Sequence, residues 1–168
     1  VGPNNTIRLS LDYQLPLENN IKIQLGTRTD IGFSGDNQDS YEYSSSLGEY
    51  SRLDSFSTDV SYLQNVYAGY GIIRGEVNKK LGFMAGLRAE YTDRLIKQTS
   101  NSNDLSIDRL DWFPSLFFTY KANKNNQFKL NASRRISRPR SWHLEPFISW
   151  EDPYTVRQGN PNLLPEYI

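Results

Sequence analysis

Leu81-Gly82-Phe83-Met84-Ala85-Gly86-Leu87-Arg88-Ala89-Glu90-Tyr91-Thr92 is the stretch that decides the fold. Leu81, Phe83, Ala85, Leu87, Ala89 and Tyr91 fall on alternate positions, and Gly82, Met84, Gly86, Arg88, Glu90 and Thr92 fall between them. Successive side chains of a strand point to opposite faces, so a period of two gives one charge-free row and one polar row. A helix would scatter both sets around its circumference. Asn78-Lys79-Lys80, just upstream, reads as a tight turn. Ahead of that turn, residues 56–77 read as a strand. Its best-patterned part puts Val66, Ala68, Tyr70 and Ile72 on one face and Tyr67, Gly69 and Gly71 on the other.

The same period recurs on both sides. Ile7, Leu9, Leu11, Tyr13 and Leu15 alternate with Arg8, Ser10, Asp12 and Gln14, which predicts a strand over 6–15. A short turn at 16–20 leads to a second strand over 21–34, where Ile21, Ile23, Leu25, Ile31 and Phe33 alternate with Lys22, Gln24, Arg28 and Asp30. Residues 35–55 are polar and aperiodic and read as a long loop with room for short strand extensions. Residues 81–94 form the fourth strand, and a second long polar loop runs to Ile107. Strands are expected over 108–121, with Leu116, Phe118 and Tyr120 on the apolar face, and over 127–138, separated by a turn at 122–126. Beyond Pro139 the pattern dissolves into loop signals.

Connections therefore alternate short and long, and the strands exceed the usual five or six residues of a soluble sheet. Transmembrane barrels have this arrangement, with short periplasmic turns and longer extracellular loops. The expected fold class is all-β: an antiparallel up-and-down meander of about six long strands, part of a transmembrane β-barrel. Turns at Leu17, Asn78 and Lys124 are then periplasmic, and the loops around Asp39, Asn101 and Glu151 extracellular, as is the region 139–168. The charged face carries Arg8, Asp12, Lys22, Arg28, Asp30, Arg88, Glu90, Lys129 and Arg135. Tyr13, Tyr120 and Phe128 near the turns, and Tyr91, Trp112 and Phe113 near the loops, suggest aromatic girdles.

Composition sets bounds. The chain has 168 residues, 19 basic and 19 acidic, one histidine and no cysteine. That balance gives no electrostatic case for nucleic acid, and the absence of cysteine excludes disulfides and thiolate chemistry. A lone His143 argues against a multi-histidine metal site. Mean hydropathy is −0.65 despite 11 Tyr, 8 Phe and 3 Trp. No apolar run is long enough for a transmembrane helix, and no charged-then-apolar leader opens the sequence. A soluble β-sandwich shares this composition, so a soluble all-β binding or interaction module with an aromatic loop patch is the alternative.

Several short motifs occur in a particular order. They are Gly86-Leu87-Arg88-Ala89-Glu90-Tyr91-Thr92, Trp112-Phe113-Pro114-Ser115-Leu116, Ser133-Arg134-Arg135-Ile136-Ser137-Arg138-Pro139, Leu144-Glu145-Pro146-Phe147 and Gly159-Asn160-Pro161-Asn162-Leu163-Leu164-Pro165-Glu166. Together they resemble the distal barrel of TonB-dependent outer-membrane receptors, in particular the Bacteroidetes-type outer-membrane β-barrel family, over about Leu63 to Ile168. The resemblance implies a bacterial outer-membrane location and energised uptake of an iron chelate, a vitamin or a glycan. It also implies that the chain is a piece of a larger protein, because the family's plug and closing strands are missing and such transporters use roughly 22 strands. Implied partners are the remainder of the barrel and its plug, lipid and lipopolysaccharide, and the TonB complex through segments lying elsewhere. No nucleic acid and no cofactor is expected.

Candidate site residues follow from position. Arg88, Glu90 and Arg135 are expected to line the lumen, with Arg135 pairing with Glu90 or Asp93. Arg134 is expected on the lipid side at the outer rim, where Arg suits lipopolysaccharide phosphates. Trp142, His143, Phe147, Trp150 and Tyr154 crowd the last loop, and Trp142, His143, Trp150 and Arg157 are the candidate ligand contacts at the mouth of the lumen. In the Gly159-Asn160-Pro161 turn, glycine supplies freedom for positive φ and Pro161 holds Asn160 extended. Asp36, Asp39 and Glu42 lack the spacing of a cation loop. His143 has no base–orienter pattern, no carboxylate pair is placed, and no phosphate-binding glycine loop occurs, so enzymatic chemistry is not expected.

Overall fold

A computed structural model of the chain describes residues 4–18, 20–98, 101–146, 148–152 and 154–168. The strands in chain order are β1 (Asn4–Pro16), β2 (Lys22–Gln38), β3 (Tyr41–Ser44), β4 (Glu49–Arg52), β5 (Thr58–Asn78) and β6 (Leu81–Gln98). They continue with β7 (Asn101–Lys121), β8 (Gln127–Ser133), β9 (Ile136–Ser137), β10 (Ile148–Asp152), β11 (Thr155–Gln158) and β12 (Glu166–Tyr167). The main sheet has six strands in the order β1-β2-β5-β6-β7-β8, every neighbour antiparallel. This is the meander expected from the alternating connections.

Side-chain chemistry closes the short turns. Asn78 Oδ1 accepts the backbone N–H groups of Lys80 (2.8 Å) and Leu81 (2.9 Å). Asn123 Oδ1 does the same for Asn125 (3.0 Å) and Asn126 (2.8 Å). Between β1 and β2, Asn20 takes a left-handed φ of 59°, which Asn tolerates because its short side chain bonds locally. The first long connection holds the β3–β4 hairpin, turned by Gly48 at φ 70°.

The register sorts the faces. Leu11, Thr27, Gly69, Ala89 and Trp112 lie side by side across β1, β2, β5, β6 and β7, and Tyr13, Leu25, Gly71, Leu87 and Pro114 form the next row. This apolar face stays exposed: Leu11 is 72% accessible, Leu25 51%, Leu87 49% and Trp112 49%. No second sheet covers it among the described residues, which sets aside the two-sheet soluble module. The opposite face carries Arg8, Asp30, Val66 and Thr92 in one row and Ser10, Arg28, Ala68 and Glu90 in the next, so the β5 residues Val66, Ala68, Tyr70 and Ile72 share the charged face, and Tyr67, Gly69 and Gly71 share the apolar one.

Three expectations are corrected. β2, β6 and β7 run well past the predicted ends, to Gln38, to Gln98 and back to Asn101. Beyond Asp93 and Asp108, directly opposite each other on the outward face, polar residues become frequent on that face, so pairing persists where the hydrophobic period fades. The strand expected over 127–138 is interrupted: β8 ends at Ser133 and β9 resumes at Ile136. Phe113 points to the charged face opposite Arg88, because adjacent residues cannot share a face with Trp112. Its place in the loop-side girdle is taken by Tyr67, which stacks on Tyr91 with centroids 6.4 Å apart.

The buried apolar cluster lies on the charged side at the long-loop end. Val60, Ile96 and Leu144 are 3%, 0% and 2% exposed, with Tyr62, Leu105 and Ile107 packed around them. Leu144 comes from the last connection, so that segment folds back over the sheet. β12 returns to pair with β9 (Glu166 opposite Ser137, Tyr167 opposite Ile136), extending the meander order.

Candidate functional site

The charged face is held by ion pairs built on alternate strand positions. Asp30 on β2 accepts from Arg8 of β1 (2.7 Å) and from Arg28 two residues away (2.7 Å). On β6 and β7 the register sets Glu90 opposite Asp111, two carboxylates on neighbouring strands. Arg138, arriving from beyond β9, bridges them at 2.6 Å to Glu90 and 3.8 Å to Asp111. Arg88 supplies a second contact to Glu90 (2.6 Å), and Arg109 one to Asp111 (3.0 Å). Tyr167 donates its hydroxyl to Asp111 and accepts from Arg109 Nη2 at 2.5 Å. Asp111 is 4% exposed, so these cations hold a desolvated carboxylate in place.

Where the last connection crosses this face, a cavity of about 550 Å³ opens toward the long-loop end, lined by Asp36, Tyr62, Arg140, Trp142, Glu145 and Arg157 among others. Tyr62 donates its hydroxyl to Glu145, a residue 3% exposed. Arg157 sits with its guanidinium carbon 5.3 Å from the Trp142 ring centroid and donates from Nη1 to Glu151 at 3.3 Å. Its buried Nε has no partner among the described residues. An aromatic face beside guanidinium, phenol and carboxylate groups suits a polar ligand that offers both flat and hydrogen-bonding surface.

A family model described as outer membrane protein beta-barrel family matches residues 2–168. The chain belongs to that family. No curated protein and no solved structure matches it. As a member of the outer-membrane β-barrel family it resides in the bacterial outer membrane. Its exposed apolar face is the lipid face of the wall, and the ion-paired face is the lumen side.

The candidate residues fall into two groups in this barrel. Trp142 and Arg157 meet at the loop-side cavity. His143 lies tilted against Trp142 with centroids 3.6 Å apart, and its buried Nδ1 has no partner among the described residues. Trp150 lies against Phe56 at 4.6 Å, away from the cavity lining. Tyr154 is 96% exposed, and Phe147 lies outside the described residues. Asp39 pairs with Arg52 at 2.8 Å.

Arg88 and Arg135 line one lumen-side groove of about 620 Å³ with Arg8, Arg28 and Arg134. Glu90 takes Arg138 and Arg88 as partners in place of the expected Arg135. Arg134 lines this groove instead of the lipid side, its guanidinium carbon 3.9 Å from the Tyr167 ring centroid, where the regular pairing of β8 with β7 ends at Ser133. Tyr62, Asp111, Glu145 and Tyr167 escaped the sequence reading. Parity along β5 and β7 marks Tyr62 and Asp111 as lumen-facing, whereas nothing local marks Glu145 or Tyr167.

Gly159 serves differently from the sequence expectation. Its φ is not among the positive ones. A Cβ there would lie 2.6 Å from the His143 backbone and 2.7 Å from Glu145 N, so the position needs glycine for close approach. Gly159 N–H donates to Glu145 O (2.8 Å) and Asn160 N–H to His143 O (2.7 Å), which pins the turn to residues 143–145.

Proposed function

We propose that this barrel chain is part of a TonB-dependent receptor that takes up a scarce nutrient, an iron chelate, a vitamin or a glycan, by binding and passage without a covalent step. The observation that carries this reading is the last connection folded over the charged face, with Leu144 and Glu145 buried and a ligand-sized cavity above them. A passive pore keeps its lumen open, whereas a receptor needs a recognition surface over it. The order of the strand and loop motifs supports the same reading. In this scheme the chain supplies wall, lumen lining and surface loops. The rest of the barrel and a plug complete the lumen, lipopolysaccharide meets the outer rim, and the TonB complex engages other segments.

The test is uptake by cells carrying the full-length protein, using labelled ferric chelates, a labelled vitamin and labelled oligosaccharides, with and without a protonophore. One class should enter only in energised cells. Trp142→Ala and Arg157→Ala should each reduce that uptake several-fold while the amount of protein in the outer membrane is unchanged. Uptake indifferent to the protonophore would mean a passive pore, and full uptake by both variants would remove the mouth cavity from recognition.

A further inference from the structure

Below the mouth cavity, and separate from it, a smaller cavity of about 250 Å³ lies between the sheet and the returning chain. Thr92, Arg94, Ile107 and Arg109 form its floor. Leu144 and the Pro161–Pro165 stretch form its roof. Arg94 is 6% exposed, yet no carboxylate lies within salt-bridge distance of it among the described residues. Its bonds go to neutral acceptors, from Nε to Gln64 Oε1 at 2.8 Å and from Nη1 to Pro139 O at 3.2 Å. A guanidinium carries five N–H donors, so donors remain. Beside it Thr92, 5% exposed, has a buried Oγ1 with no partner among the described residues.

A buried cation without a counter-charge is costly. The neighbouring carboxylates do not relieve it: among the described residues Glu90 and Asp111 take Arg88, Arg109 and Arg138 as their ion-pair partners, and neither pairs with Arg94. Besides Arg109, Arg138 and Asn162, the remaining lining is apolar: Ile107, Leu144, Leu163 and Leu164, with Pro139, Pro161 and Pro165. We infer that this cavity binds a small organic carboxylate, its carboxyl group on Arg94 and Thr92 and its short apolar body under the Leu163–Leu164 segment. The planar guanidinium fork matches a carboxylate in two-point contact, Thr92 adds a donor, and the prolines and leucines offer apolar surface to the short body. The volume is below that of drug-sized pockets, which limits the ligand to a few carbons. This site is distinct from the nutrient cavity and stands independently of how solutes cross the lumen.

The probe is butyrate, titrated calorimetrically into the full-length protein in detergent, with n-butanol and inorganic phosphate as comparisons. Saturable butyrate binding is expected, with neither comparison binding comparably. Arg94→Lys, which keeps the charge and loses the fork, and Arg94→Met should each weaken butyrate at least tenfold, the loss of a charge-assisted hydrogen bond. Should Arg94→Met fail to fold, Leu163→Trp, placed in the partly exposed roof, should fill the cavity and abolish binding with the barrel intact. Phosphate binding as tightly as butyrate overturns the assignment of an apolar-bodied carboxylate. Absence of saturable butyrate binding, or binding unchanged in Arg94→Lys and Leu163→Trp, overturns the site.

Discussion

Leu87→Arg probes the lipid face at its centre. On the outward side of β6, Leu87 lies midway between Leu81, where the strand leaves its turn, and Asp93, where carboxylates first face outward. Six residues on either side at ~3.3 Å each, tilted by about 40°, put Leu87 about 15 Å from both borders, the midplane of the hydrocarbon core. Its cross-strand neighbours are Gly71 and Pro114, and neither can pair with a guanidinium. An arginine at the midplane of a barrel's lipid face costs about 2–4 kcal/mol. That is roughly a 30- to 1,000-fold loss in the folded-to-unfolded ratio. Urea titration of the full-length protein in phosphatidylcholine vesicles, followed by tryptophan fluorescence, reads this loss. The companion is Gln24→Arg, on the lumen side of β2 between Gln14 and Ile72, where an added charge can be hydrated. It should cost less than about 1 kcal/mol. Equal costs for the two substitutions would refute the assignment of faces.

Arg138→Met should cost about 3–5 kcal/mol in the same titration, because Glu90 and Asp111 are then left facing each other with reduced compensation. Adding Glu90→Gln should recover part of the loss, and no recovery would mean that Arg138 acts through packing. Gly159→Ala should destabilise by about 1–3 kcal/mol, since backbone on the opposing segment blocks the new methyl group. An unchanged unfolding midpoint would show that the 143–145 contact is not made in solution. In the β10–β11 hairpin, the Asp152 carboxyl is held below its ordinary value of 3.8, first by the Thr155 hydroxyl and then by the Tyr154 N–H. A lowered carboxyl contributes fully above the unfolded value and is lost as pH falls through the folded one. The Tyr154 amide resonance should therefore titrate with a midpoint below 3.8 and stay flat in Asp152→Asn. A shift centred above 3.8 would contradict the hydrogen bonds.

The meander was legible because each strand contrasts an apolar row with a polar one. That contrast fades where polar side chains occur on both faces, which is why the extensions at Gln38, Gln98 and Asn101 left no sequence signal. The break after Ser133 was hidden for a related reason: Arg134 and Arg135 keep a plausible parity while the backbone departs from β7. Trp142 and Arg157 could be selected as loop residues rich in contact chemistry. Their convergence with Tyr62 could not, since Tyr62 and its partner Glu145 are 83 positions apart. The exchange of Arg135 for Arg138 at Glu90 has the same origin, because a bend of a few residues decides which guanidinium arrives.

Residues 143–145 are a party wall. On one side Glu145, with Trp142, bounds the mouth cavity, and on the other Leu144 roofs the small basic chamber. The carbonyls of His143 and Glu145 also clamp Asn160 and Gly159. An occupant that displaces the backbone of this segment therefore acts on Leu144 and, through those hydrogen bonds, on the Gly159–Asn160 bend, at the edge of the lower chamber. The two compartments share masonry, and the volume of one is set partly by what fills the other.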